Sequence, residues 1–265
     1  MKALVNRPLA ATFGWLGVNG TEVDAAEHAR TVLLQLAENE SRTVVLDRAA
    51  RVEASLKQGA VLRLIQLRRG GDDTQVSTLR VRCGEGARFE WYRVVLGGAA
   101  TYDDCSVELS GDGSRFAAEL GFRLGGDETL DVNCQAIHTG KRTESAIHAS
   151  GVLSERAFKL LRGTIDLRRG CAGASGSESE DVLLMDETVR NQSVPVILCA
   201  EEDVSGSHGA TIGRPDETTL YYLEARGLER AAACELLARS KLDAVLRRLP
   251  DEGLRRELLG EEAEA

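Results

Sequence analysis

Between about residue 43 and residue 200 the chain alternates apolar and polar residues in short runs. This is the pattern of strands with one buried face. Val61-Leu62-Arg63-Leu64-Ile65-Gln66-Leu67, Thr78 to Cys83, Phe89 to Val94 and Ser106 to Leu109 are early examples, followed by Ala118 to Arg123 and Leu130 to Ile137. Further strands are predicted over 145–153, 157–168, 181–186 and 194–199. Glycine-rich clusters separate them, among them Gly84-Glu85-Gly86 and Gly111-Asp112-Gly113. Almost no helical period lies between the strands, which excludes a doubly wound α/β sheet. A sandwich, a barrel and a solenoid stay open, because no strict repeat is visible.

The period is helical at both ends. Thr21 can cap a helix over roughly 22–38, with Val23, Ala26, Ala29, Val32, Leu33 and Leu36 on one face. Asp216 can cap a second helix that runs to Gly227, a third spans roughly 228–249, and a fourth starts at Pro250-Asp251 and ends near Leu259. The expected organisation is a helical or irregular segment over 1–42, a β core over 43–213 and a helical segment over 214–262. The small, polar run Cys171 to Glu180 reads as a flexible loop.

Composition narrows the architecture. Aromatics make up 4% of the 265 residues and there are 27 glycines. A narrow interior filled by Val, Leu, Ile and Ala, with glycine at many turns, favours the solenoid. The formal net charge of -9 argues against nucleic-acid and membrane-surface partners. No apolar stretch approaches a membrane span and the N-terminus lacks a signal-peptide core, so a cytoplasmic location is expected. Six cysteines, none in a CxxC pair, read as reduced and mostly buried thiols.

Of the four histidines, His208 stands apart, in Ser205-Gly206-Ser207-His208-Gly209-Ala210-Thr211, after the acidic run Glu201-Glu202-Asp203. From the residues alone it is a turn histidine with an accessible ring. A neutral imidazole suits iron and a titrating one carries protons. Cys199, nearest in sequence, ends a strand that reads as buried.

The stretch SGSHGATIGRPDETTLYYLEARG, Ser205 to Gly227, resembles the C-terminal signature of the SufD branch of the SufB/SufD family of iron–sulfur cluster assembly scaffolds. That signature is approximately Cys-Ser-His-Gly-Ala-Thr, a Gly, an acidic helix start, and Phe/Tyr-Tyr-Leu-x-x-Arg-Gly. Ser207, His208, Gly209, Ala210, Thr211, Gly213, Asp216, Glu217, Tyr222, Leu223, Arg226 and Gly227 fit it. Gly151-Val152-Leu153, Arg162-Gly163-Thr164-Ile165 and Leu183-Leu184-Met185 extend the match upstream.

The resemblance implies a right-handed parallel β-helix, in a compact form lacking the long N-terminal helical domain of larger members. It implies a non-catalytic scaffold that pairs with a SufB-like subunit and docks a SufC-type ABC ATPase through its C-terminal helices, with Tyr221, Tyr222 and Arg226 as candidate contacts. It makes His208 the candidate ligand of a transient iron–sulfur cluster shared with a partner, with Cys199 behind it and no nucleotide on this chain. A homodimer through the β-helix is the other pairing. Two features depart from the family: Gly206 replaces the motif Cys, and Glu180-Asp181-Val182 stands where SufB-type members carry a reactive Cys. The rival readings are a structural oligomerisation module without a metal site, whose C-terminal helices only shield the last strand edge, and a β-helix enzyme acting on polysaccharide.

Overall fold

The computed structural model describes residues 2–9, 17–24 and 30–260. Sixteen strands and three helices follow one another along it. β1 (Lys2–Val5) and β2 (Thr21–Asp24) form an antiparallel pair. The other strands build two parallel sheets of seven. In chain order they are β3 (Arg30–Leu36), β4 (Ser41–Leu46), β5 (Ala50–Leu56), β6 (Val61–Arg69), β7 (Thr74–Cys83), β8 (Arg88–Leu96) and β9 (Ala100–Leu109). Then come β10 (Arg115–Leu124), β11 (Thr129–His138), β12 (Glu144–Leu153), β13 (Phe158–Leu167), β14 (Ala174–Leu184), β15 (Arg190–Cys199) and β16 (Val204–Gly213).

Odd-numbered strands from β3 to β15 make one sheet and even-numbered strands from β4 to β16 the other, each in sequence order. The chain therefore winds from sheet to sheet and back, and each coil stacks on the one before: a parallel β-helix. Equivalent positions in the later coils are 29 to 32 residues apart.

The alternation seen in the sequence is the alternation of interior and exterior. Leu62, Leu64, Phe89, Trp91, Phe116, Ala118, Ile147 and Ala149 from one sheet meet Val81, Cys105, Val107, Val132, Cys134 and Leu161 from the other in one continuous core. Two of the few aromatics stack coil on coil: the Phe89 and Phe116 rings are 5.6 Å apart and nearly parallel.

The repeat invisible in the residues is visible in the turns. Asn39, Gly59, Gly86, Gly113, Arg142 and Gly173 occupy equivalent corners, all with positive φ. Each backbone N–H there donates to a carbonyl of the next turn, from Asn39 to Gln58, Gly59 to Glu85, Gly86 to Asp112, Gly113 to Lys141, Arg142 to Ala172 and Gly173 to Asp203. Beside this ladder the turns touch backbone to backbone: a Cβ at Gly111 would lie 2.0 Å from the Glu85 nitrogen, so only glycine fits.

Three expectations are corrected. The helix over 22–38 does not form: residues 21–24 and 30–36 are strands, and 25–29, with His28, lie outside the described residues, as do Trp15 and Leu16. Val32, Leu34 and Leu36 also alternate, and pairing with β5 buries Leu34 and Leu36 while leaving Leu33 out at 69% exposure. Tertiary pairing overrides a helical spacing that the same residues satisfy. Second, the run 171–180 is a loop only as far as Gly173; from Ala174 it is β14, paired on both sides. Third, His208 is not in a turn but in the middle of β16.

The C-terminal helices follow the sequence. α1 (Glu217–Glu224) is capped by Asp216, whose carboxylate accepts from the Thr219 N–H at 2.9 Å. α2 (Arg230–Leu246) and α3 (Glu252–Leu259, capped by Asp251) follow it. α2 lies across the outer face of the even-numbered sheet over β10, β12 and β14. Leu246, Leu249 and Leu259 cover Ile65, Leu67 and Val94, and Leu237 and Ala238 cover Val152 and Leu183. The helices thus seal a sheet face. They do not shield the last strand edge: β16 is exposed from Ser205 to Gly213.

Candidate functional site

The final coil, β15 and β16, closes neither sheet: each strand pairs on one side only, with β13 and β14. His208 sits on β16 as the Cα partner of Glu178 on β14. A Cβ at Gly206 would lie 3.0 Å from the Ile197 side chain, so that position faces the interior. Two residues on, His208 shares that face. Its ring is exposed because no coil follows, not because it stands on the outer surface.

Glu178 and Glu180 also point inward, at 6% and 5% exposure. Lys159 enters from β13 and its Nζ donates to Glu180, while the Ser193 hydroxyl donates to the other Glu180 oxygen at 2.5 Å. Gly163 on β13 faces Glu178; a Cβ there would lie 2.2 Å from a carboxylate oxygen. Burial pushes the Glu178 carboxyl up to about 7 and the Lys159 ammonium down to about 7, each offset in part by the other's charge. One coil on, the register replaces Gly163 by Pro195 and Glu178 by His208. His208 therefore takes in the last coil the place that Glu178 holds in the coil before it.

The other sequence candidates lie elsewhere. Cys199 shares the inward face with Ile197, but it is four residues beyond Pro195, about 13 Å along the strand at about 3.3 Å per residue. Its thiol donates to the Glu201 carbonyl at 3.2 Å. The structure does not bring Cys199 to His208. Among the described residues no three metal-ligating side chains converge, and all six cysteines are free, four of them buried. Tyr221 and Tyr222 stand out from α1 at 73% and 54% exposure, and the Arg226 guanidinium stacks on the Tyr222 ring at 4.6 Å. This aromatic and cationic surface is on the helical side of the molecule, away from the interior that His208 faces.

His138 and His148 have structural roles. His138 is fully buried between the hydroxyls of Thr143 at 2.7 Å and Ser145 at 2.9 Å, and burial drops its pKa to about 4, against a small opposing pull from Asp166. His148 bonds Glu119 at 2.8 Å, which also receives Arg248 beside α3. The interior polar groups escape the sequence pattern. Lys159, Glu178, Glu180 and the Arg93–Asp103 pair (2.7 Å) occupy positions that the alternation assigns to the core. The available signal was parity: Glu178 and Glu180 keep step with Val182, an inward residue.

Comparison with known proteins finds matches over most of the chain. A family model for the SUF system FeS cluster assembly SufBD core domain matches residues 16–241. The iron-sulfur cluster assembly protein SufD of Bacillus subtilis (strain 168) is 30% identical over 206 residues, 78% of this chain and 46% of that protein. SufB of the same organism is 25% identical over 206 residues, 77% of this chain and 44% of that protein. SufD of Escherichia coli (strain K12) is 25% identical over 165 residues, 62% of this chain and 39% of that protein. The chain spans less than half the length of each of these relatives.

Proposed function

The chain belongs to the SufBD family of iron–sulfur cluster assembly proteins and is SufD-like, and on that premise we propose that it is a non-catalytic scaffold subunit pairing with a SufB-like subunit and a SufC-type ABC ATPase. The observation that carries this reading is the position of His208 on β16, the strand that ends its sheet. An edge strand with free backbone groups is a template for a strand from another chain. A partner added there would bring its own groups next to the imidazole. The cluster is cargo in this scheme: His208 supplies one ligand, and the partner supplies the thiolates that this chain lacks at Gly206 and Glu180. Six free thiols suit a reducing compartment, and the proposed location is the cytoplasm.

Tyr221, Tyr222 and Arg226 are the proposed contacts for the ATPase, since exposed aromatics and arginine are frequent anchors of interfaces. The inward carboxylates of β14 are enclosed, which does not suit a glycan-cleaving cleft.

Co-purification from the same genome tests the reading. The tagged chain is expected to capture the SufC-type ATPase together with a SufB-like subunit, and Tyr221→Ala/Tyr222→Ala to weaken capture of the ATPase. Failure to capture the ATPase with or without the SufB-like subunit overturns the scaffold role. A homodimer that persists when the SufB-like subunit is present would place a second copy of this chain on β16. Normal cluster assembly by His208→Ala would remove the site claim alone.

A further inference from the structure

Ten buried side-chain nitrogen and oxygen atoms find no hydrogen-bond partner among the described residues. Five of them belong to one layer of the interior, on β6, β8 and β9: Gln66 Nε2, Arg68 Nε, Arg93 Nη2, Thr101 Oγ1 and Asp103 Oδ1. Buried polar groups are almost always paired, so five orphans in one layer point to something held between them.

The register explains the grouping. Gln66 on β6 and Arg93 on β8 are Cα partners, in step with the inward Leu64 and Trp91. Arg93 reaches from one sheet to the other, and its Nε donates to Asp103 on β9 at 2.7 Å. Thr101 lies two residues before Asp103 on the same inward face. The Trp91 indole N–H donates to Gln66 Oε1 at 2.7 Å. An indole can only donate, so the Gln66 amide is fixed with its NH2 as the free end. Arg68, two residues beyond Gln66, is held by Asp73 and the Gly71 carbonyl, with its guanidinium flat against Gly98. Apolar side chains bound the layer: Leu46 beside Gln66, and Leu120, Leu130 and Val132 beside Arg93, Thr101 and Asp103.

Charge selects the occupant. Two buried guanidiniums, Arg68 and Arg93, share the layer with one enclosed carboxylate, Asp103. Both guanidiniums stay protonated, and Asp73, the other acid, is exposed at the rim. The interior therefore holds one positive charge more than it neutralises, which is costly to enclose. We propose that Gln66, Arg93 and Thr101 form a binding site for a small inorganic monoanion, with Arg68 as the second cation at its rim. The Gln66 NH2, the Arg93 Nη2 and the Thr101 hydroxyl donate to the anion, and Asp103 Oδ1 takes a water beside it. The anion ties β6, β8 and β9 together. Its way in is the outer cavity of about 830 Å³ at the same corner, lined by Gly70, Gly71 and Asp73, once the Arg68–Asp73 pair opens. His208 is four strands from Arg93 in the even-numbered sheet, about 19 Å at about 4.8 Å per strand, and the site does not rest on the scaffold reading.

Bromide is the probe. Crystals of the full chain grown in sodium bromide and measured above the bromine K edge are expected to show an anomalous peak between Gln66 Nε2, Arg93 Nη2 and Thr101 Oγ1. In solution, replacing gluconate by bromide at constant ionic strength is expected to raise the urea midpoint with the logarithm of bromide concentration, as a ligand of the folded state alone does. Gln66→Glu keeps the acceptor for Trp91 but turns the free donor into a negative oxygen, and should abolish this dependence. Thr101→Val, alike in shape without the hydroxyl, should move it to at least threefold higher bromide. The readout is the dependence on bromide, so a weakened variant remains informative. If Gln66→Glu fails to fold, the wild-type crystal decides. Water alone in the layer, with no bromine peak, overturns the proposal. So does a wild-type midpoint that ignores bromide, or a dependence unchanged in Gln66→Glu.

Discussion

Gly163 and Glu178 face each other across the interior of the β-helix, so closely that a Cβ on the first would lie 2.2 Å from a carboxylate oxygen of the second. Gly163→Ala must displace an enclosed acid. A loss of about 1–3 kcal/mol, the usual range for overpacking a core, is expected from urea unfolding. The same substitution in a Glu178→Ala background should cost far less, because the clash partner is gone. Equal costs in both backgrounds would show that the two side chains do not share this space.

The Lys159–Glu180 pair next to it is enclosed on both sides, at 2% and 3% side-chain exposure. Glu180→Ala strands a buried ammonium and should cost about 3–5 kcal/mol, whereas Lys159→Met with Glu180→Leu should recover most of that loss. A double variant no more stable than the single would mean that the pair itself, not the stranded charge, is what the fold needs.

How far these residues were legible is instructive. Alternation predicted that positions 178 and 180 belong to a strand only if the strand was extended back past Asp181, and small polar residues at 175–179 hid it. A related ambiguity makes Arg30 to Leu36 look helical: apolar residues at 32, 33 and 36 fit a helical period, while those at 32, 34 and 36 fit a strand. The caps at Asp216 and Asp251 were legible because capping is local chemistry. The place of His208 at the open end was not, because which strand is last in a sheet is a property of the whole winding. His208 itself was found through its motif; Glu178 has no motif, and only the register sets it beside His208.

His138 makes stability depend on acid. Its folded pKa of about 4 lies below the ordinary 6.5. Between these values the unfolded chain binds a proton that the folded chain refuses, so stability is full above pH 6.5 and falls as pH drops toward 4. The contribution is up to about 3 kcal/mol at about 1.4 kcal/mol per pKa unit. Denaturant midpoints at pH 7.5, 5.5 and 4.5 should fall more in the wild type than in His138→Gln, which keeps polar contacts and does not titrate. Parallel profiles would refute the assignment.

On the outside of the odd-numbered sheet, Arg162 pairs with Asp131 under the N-terminal hairpin, both at 1% side-chain exposure. Asn6 donates to Asp131 at 2.7 Å, Thr21 donates to the same carboxylate, and Arg162 donates to the Val18 carbonyl. Asp131→Ala removes the hub and leaves the guanidinium unpaired, at a cost of about 3 kcal/mol or more. Cleavage by a glutamate-specific protease after Glu22 on β2 should then accelerate well beyond the wild-type rate, while the coils from β5 to β13 resist. Unchanged cleavage would mean that the hairpin is held by Val18 packing alone.

The coil-on-coil winding has one more consequence, for the order in which the molecule opens. Each interior coil leans on two neighbours, and the β15–β16 coil on one, so detaching it sacrifices a single interface. Amide hydrogen exchange should therefore be faster in β15 and β16 than in β13 and β14 and slow progressively toward β11, with His208 on a strand that frays early. A chain that added its own strand to β16 would turn that last coil into an interior one, and the slowing of exchange there would register the docking event, whatever metal is present.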